Sequence, residues 1–330
     1  ISPNLGEALE ADGFDLVANS RELLLYHRDG SPRAFTVPMQ VLGIGAGAEN
    51  ASLVFPQMIV GSSPSLDDYS DEFLEQFDLV LLSRFETASR GDAEQRVKRL
   101  AEGGMRFVVD MTGAPSSPFS RQPKFLDVHG EPVLLITQAT LIQDDERTPL
   151  LPFNTDRGPW RSVTPQGADE DLVMFDYSAA QGAAVSRNVY SDGTNSGEVV
   201  FLGLNLLFHA ALTQDQAAIS LLEDVLGLTA FEVPQDTTHP LADYSAGEDG
   251  WTFDLTLPEA GWVLFPVAHH EGTRVFANGQ KVEAIGIERL TFALMPAGAI
   301  SVEIRSERTG IYTVGYIASL LGALIAAGFL

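Results

Sequence analysis

The chain has 330 residues, of which 45% are hydrophobic, enough for two domains with real cores. Its 45 acidic residues against 20 lysines and arginines leave a formal net charge of −25, a field that repels nucleic acid and anionic headgroups and excludes DNA or RNA as partners. It has no cysteine, which removes disulfides, thiolate metal sites and cysteine nucleophiles together.

Residues 1–37 read as an N-terminal β-hairpin segment packed on the later domains. Apolar runs at Phe14–Ala18, Glu22–His27 and Ala34–Val37 flank an Asp29-Gly30 turn. Residues 38–230 alternate strands with helical stretches. Val41–Ile44, Gln57–Val60, Asp78–Ser83 and Met105–Met111 are short, continuously apolar runs of the kind buried on both faces of a sheet. The spacing of Val97, Leu100 and Ala101 predicts a helix over 91–103, with Asp92 as N-cap and Gly103-Gly104 as its stop. Later strands are expected at Val133–Ile136, Leu172–Phe175, Ala183–Tyr190 and Glu198–Leu204, then helices over 206–212 and 214–226. This order predicts an α/β domain with a parallel sheet.

Residues 231–250, polar and proline-containing, read as a linker. Strict alternation at Trp251, Phe253, Leu255 and Leu257 and the Asn278-Gly279 turn predict a small β-sandwich over 251–309. Residues 310–330 carry no charge. At 1.5 Å per residue such a helix is about 31 Å long, close to the bilayer hydrocarbon thickness, so a transmembrane helix is expected there. Gly315, Ser319, Gly322 and Ala326 form a small-residue stripe suited to packing against other membrane helices. A buried core helix is the alternative. The chain opens at Ile1 and stops inside the apolar run, which reads as a piece of a larger membrane protein or a processed chain.

Few residues carry chemistry. Gly43-Ile44-Gly45-Ala46-Gly47-Ala48 matches a dinucleotide-binding glycine pattern, but no acid follows the next strand until Asp67; a glycine turn is the better reading, and no cofactor is expected. His269-His270-Glu271 resembles a metal cluster in composition, yet neighbouring strand residues face opposite ways, and no metal site is expected. The acid runs Asp144–Glu146 and Asp169–Asp171 read as solvated loops, and Asp67-Asp68 as the approach to a helix near Glu72. Asp110 ends a central strand, where open α/β sheets hold ligands, and His209 follows the last strand. These two are the weak catalytic candidates, and neither has a visible acid–base partner.

Phe77–Ser83, Met105–Asp110 and Glu198–His209 resemble the class I glutamine amidotransferase-like (flavodoxin-like) fold. That family's nucleophilic cysteine follows the strand that Met105–Met111 would represent. Here Asp110, Met111 and Thr112 occupy those positions, so amidotransferase chemistry is excluded and the domain reads as degenerate. Trp262–Ala268, Thr273–Val282, Phe292–Gly298 and Ser301–Arg305, followed by the apolar run, resemble the C-terminal region of YfhO-type polytopic bacterial membrane proteins. Ser31–Phe35 resembles the segment leaving their membrane core. The combination is similar to membrane proteins labelled 6-pyruvoyl-tetrahydropterin-synthase-related.

The resemblance implies a GT-C glycosyltransferase-like parent, a cell-membrane location and soluble domains outside the cytoplasm. The expected function is non-catalytic support, or recognition of a glycan or lipid-linked substrate. Implied partners are the lipid bilayer, other transmembrane helices and glycan. Two alternatives are an accessory subunit of a membrane complex and a hydrolase or transferase using Asp110.

Overall fold

The computed structural model describes residues 15–19, 24–27, 33–36, 39–116, 122–136, 138–153, 160–177, 180–232, 237–247, 250–270, 272–287 and 290–307. The chain divides into two compact units. One comprises residues 37–236 with 286–290; the other gathers the N-terminal strands, residues 237–285 and those from 291 onward.

The first unit is built on strands β1 (Val41–Ile44), β2 (Ile59–Val60), β3 (Leu79–Ser83), β4 (Arg106–Asp110), β5 (Lys124–Phe125), β6 (Val128–Leu135), β7 (Thr140–Gln143), β8 (Glu146–Pro149), β9 (Trp160–Gln166), β10 (Glu170–Tyr177), β11 (Ala180–Ser191) and β12 (Ser196–Leu202). Its helices are α1 (Ala48–Ser52), α2 (Asp71–Leu74), α3 (Arg90–Glu102), α4 (Leu206–Thr213) and α5 (Gln216–Leu226). Nine strands form one sheet in the order β8-β7-β10-β11-β12-β4-β3-β1-β2, and β9-β6-β5 form a second.

From β12 to β2 the pairing is parallel. Alternate residues of these strands fill opposite faces. Val41, Leu79, Leu81, Val108, Val200 and Leu202 join one cluster with residues of α1, α4 and α5. Leu42, Val80, Leu82, Val109 and Phe201 are equally buried on the other side, and α3 packs on β11 and β12 with Ala93, Val97, Leu100 and Ala101 buried. The N-cap of α3 is Ser89, whose side chain accepts from the Asp92 amide, so the expected cap at Asp92 lies three residues too late. Gly227, at φ 68, closes α5 in the left-handed region that favours glycine.

The expected amidotransferase-like parallel fold with a transmembrane helix is corrected here. Strand makes up 52% of the structure and helix 19%. Beyond β12 the sheet continues through β11, β10, β7 and β8, all antiparallel. The reason is connection length. Parallel neighbours need a crossover of a dozen or more residues, whereas two to four residues of sequence separate β7 from β8, β10 from β11 and β11 from β12. Between β4 and β12 the described residues contain no α-helix to make a crossover. Among the described residues no helix is long and apolar enough to cross a membrane, and this finding replaces the expected membrane location and membrane-anchored description. The run 310–330, with Gly315, Ser319, Gly322 and Ala326, lies outside the described residues.

Two five-stranded sheets are built mainly from the second unit. Their orders are 237–240, 33–36, 261–268, 290–295, 284–287 and 242–247, 250–257, 298–306, 273–277, 280–282. Phe253, Leu255, Val263, Phe265, Val275, Val302 and Ile304 meet in its core. Residues 237–240 and 242–247, in the stretch read as a linker, are strands. Asp15–Asn19 pairs with Leu24–His27; the Asp29-Gly30 turn lies outside the described residues.

Phe201 is fully buried at the centre of the first unit. Phe201→Ala should cost about 3–5 kcal/mol in urea denaturation, the usual loss for a core phenylalanine. A loss below about 1 kcal/mol would show that Phe201 does not sit between packed layers.

Candidate functional site at the strand ends

The carboxyl ends of β1, β3, β4 and β12 are where an open parallel sheet places a ligand. Here they are filled by packed loops. Asp110, the last residue of β4, is only 3% exposed. Its Oδ2 accepts from Ser83 Oγ at 2.7 Å and its Oδ1 from the Thr112 amide at 3.0 Å. Asp110 thereby caps the short 3-10 turn Met111–Gly113. Burial pushes its carboxyl above the ordinary value, while the bonds from Ser83 and Thr112 and the charge of Arg84 pull it down.

The glycine pattern after β1 serves the same packing. Gly47 donates its amide to the Ser83 carbonyl at 2.9 Å. A Cβ on Gly47 would stand 2.0 Å from Ser83 Oγ, and one on Gly45 (φ +100) would stand 2.3 Å from Ser83 O. The glycines are needed for the approach of one loop to the end of β3. α1, which follows, has five residues. On the far side, Arg84 adopts φ 51, and a Cβ on Gly113 would fall 2.4 Å from Arg84 Cγ. Thr112 Oγ1 lies 3.4 Å from Ser162 Oγ.

His209 is not brought to Asp110. It is fully buried on α4, and its Nε2 lies 2.9 Å from Asp215 Oδ2. Asp215, 3% exposed, also accepts from the Leu151 amide at 2.6 Å and, as N-cap of α5, from the Ala217 amide at 3.0 Å. The rings of Phe153 and Trp160 lie 4.5 and 6.0 Å from the imidazole. Among the described residues, His209 Nδ1 is buried without a partner. Sequence reasoning passed over both Ser83 and Asp215. Asp215 had a readable signal, an acid directly ahead of a helix; Ser83 had none beyond its place at a strand end.

The other motifs separate. His270 Nδ1 accepts from the Gly272 amide at 3.0 Å and its Nε2 lies 2.9 Å from Ser306 Oγ. His269 is held below the usual histidine pKa by burial, with His270 and Arg274 adding to it; Glu271 lies outside the described residues. Glu170 pairs with Arg187 at 2.5 Å and Asp171 accepts from Ser186 Oγ at 2.7 Å. Asp67 accepts from the Ala88 amide at 2.7 Å. Among the described residues no three His, Asp or Glu side chains are grouped to hold a metal ion.

Residues 40–209 match the model of a family described as Domain of unknown function (DUF8560). The chain belongs to that family. No curated protein matches this DUF8560 chain. Among solved structures, the alpha-L-fucosidase isoenzyme 2 from Paenibacillus thiaminolyticus aligns at 10% identity and TM-score 0.38, covering 83% of this chain and 49% of that one. Gan42B, a GH42 beta-galactosidase from G., aligns at 11% identity and TM-score 0.30, covering 70% of this chain and 32% of that one. The DUF8560 chain thus spans less than half of either structure. At these scores the likeness carries no inference about its chemistry.

A raised carboxyl pKa means that the native state holds the Asp110 proton more tightly than the unfolded chain does. The stability it contributes is full below the ordinary value of 3.8 and is lost as pH rises through the folded-state value. Asp110→Asn removes this dependence. Relative to wild type, the variant should gain stability in urea titrations as pH rises above the ordinary carboxyl value of 3.8. A pH-independent difference would show that the carboxyl is not buried as described.

Proposed function

We propose that the chain is a non-catalytic support and recognition module. The observation that carries this reading is the engagement of Asp110. Both of its oxygens are bonded, to Ser83 and to Thr112, and the side chain is closed to solvent. A general acid or base must reach the proton it transfers, within about 3 Å or through one water. Asp110 faces a serine hydroxyl and a backbone amide, and among the described residues no second titratable side chain shares its bonds. The alternative of a hydrolase or transferase using Asp110 would gain from its raised pKa, a feature of many catalytic acids. Desolvation of a structural cap raises it equally well.

His209 supports the same reading. Its hydrogen bond runs to Asp215, which is committed to capping α5 and to the Leu151 amide. That arrangement couples α4, α5 and the segment after β8, and among the described residues no nucleophile is bonded to the imidazole. The resemblance of residues 262–305 to the YfhO-type sandwich supports glycan, or a glycan-handling protein, as what the module serves.

The test is a turnover assay on the purified chain with aryl glycosides and aryl esters. Wild type should match the uncatalysed rate. Turnover that falls about 100-fold or more in Asp110→Asn or His209→Ala, with folding retained, is the scale expected for a removed acid–base group and would overturn the reading.

A further inference from the structure

The antiparallel margin of the nine-stranded sheet forms a groove against α5. β8 is the outermost strand, and α5 lines the groove together with the hairpin that β8 makes with β7. Leu141 pairs with Thr148 and with Phe175, so the face that carries Leu141 also carries Gln143 and Glu146. The groove has a volume of about 520 Å³. Leu141, Val173 and Leu221 line its floor, and the carboxylates of Asp144, Glu146 and Asp224 stand at its rim.

None of these three carboxylates has an ion-pair partner among the described residues. The adjacent cation, Arg147, lies on the other face of the hairpin and is held by Asp176 at 2.5 Å. Asp144 and Asp145 form the two-residue turn at φ 47 and φ 67, which fixes the Asp144 carboxylate at the groove's end.

We propose that this groove docks an extended basic segment of a partner protein, with Arg or Lys alternating with aliphatic residues. Alternation matches the site: aliphatic side chains reach the apolar floor while the cations between them meet the rim. A volume of this size holds a few side chains. A second copy of this chain is disfavoured, because two bodies each carrying −25 repel one another. The inference does not depend on whether the chain is catalytic.

The probe is a fluorescein-labelled Arg-Leu-Arg-Leu-Arg peptide, read by fluorescence anisotropy at about 0.15 M salt, where the long-range field is largely screened. Wild type should bind it. Asp144→Asn/Glu146→Gln/Asp224→Asn should weaken binding about tenfold or more, and Ser220→Arg, which gives the groove its own cation, should do likewise. Neutralising three acids elsewhere, Glu49→Gln/Glu75→Gln/Glu131→Gln, should change it less than about twofold. All six acids are exposed on the surface of the first unit, and Ser220→Arg stands as a single-site check should a triple variant fold poorly. Equal weakening by both triples would assign binding to the diffuse charge of the surface and overturn the proposal. So would Arg-Ser-Arg-Ser-Arg or spermine binding as tightly as the leucine peptide, since the floor would then contribute nothing. Absence of binding to wild type overturns it outright.

Discussion

The hydrogen bond from Ser83 to Asp110 is the contact on which the parallel half of the sheet depends. An ionised carboxylate taken out of water without partners costs several kcal/mol, enough to consume much of a domain's net stability. Ser83 Oγ and the Thr112 amide supply the partners. Ser83 ends β3 and Asp110 ends β4, directly opposite each other in the parallel register. Satisfying the carboxylate therefore fixes where both strands stop. The loop after β1 is fixed by the same serine, because Gly45 and Gly47 must both lie against it. Three strand ends are thus closed by one buried polar cluster, at the place where many α/β proteins keep an open crevice.

A second constraint comes from charge. With a net −25, the surface must avoid adding local repulsion to a global excess. Across the middle of the sheet, Glu170, Arg187, Glu198 and Arg106 alternate in sign, with contacts of 2.5, 3.3 and 2.8 Å. The row crosses β10, β11, β12 and β4, and so passes from the antiparallel strands into the parallel ones. Pairs this exposed are each worth little. Their value lies in placing scarce cations where four strands would otherwise set acids side by side. Arg96 is used in a comparable way: it bonds Asp71 at 2.6 Å and the Leu66 carbonyl at 2.8 Å, tying α3 to the start of α2 and to the turn before it.

The parallel strands were legible because burial on both faces leaves an unbroken apolar run, as in Leu79–Ser83. The helix over 90–102 was legible for the opposite reason, a polar face broken at helical spacing by Val97, Leu100 and Ala101. β10, β11 and β12 were also visible as strands, but their direction was not, and β7, β8 and β9 were missed. β10 and β11 are buried enough to resemble parallel strands, and only the shortness of their connections gives the direction away. The Asp144-Asp145 turn was read as a solvated acid run because nothing local distinguishes an exposed acid from an acid at φ 47. Asp110 was identified by position; what it does there was hidden, since its partner Ser83 is 27 residues away.

His209 and Asp215 show how such a pair can belong to folding instead of chemistry. In hydrolytic sites an aspartate orients a histidine whose other nitrogen faces a nucleophile. Here the other nitrogen, Nδ1, is buried beside the rings of Phe153 and Trp160 with no partner among the described residues. A buried polar atom left unpaired costs on the order of 1–3 kcal/mol, so the pair persists only if the rest of the arrangement offsets it. Three bonds to one carboxylate do so, from His209, Leu151 and Ala217. They set the turn between α4 and α5, and α5 is the helix that lines the groove at the sheet margin. The histidine thus helps to fix the helix that carries Asp224 at the rim of that groove.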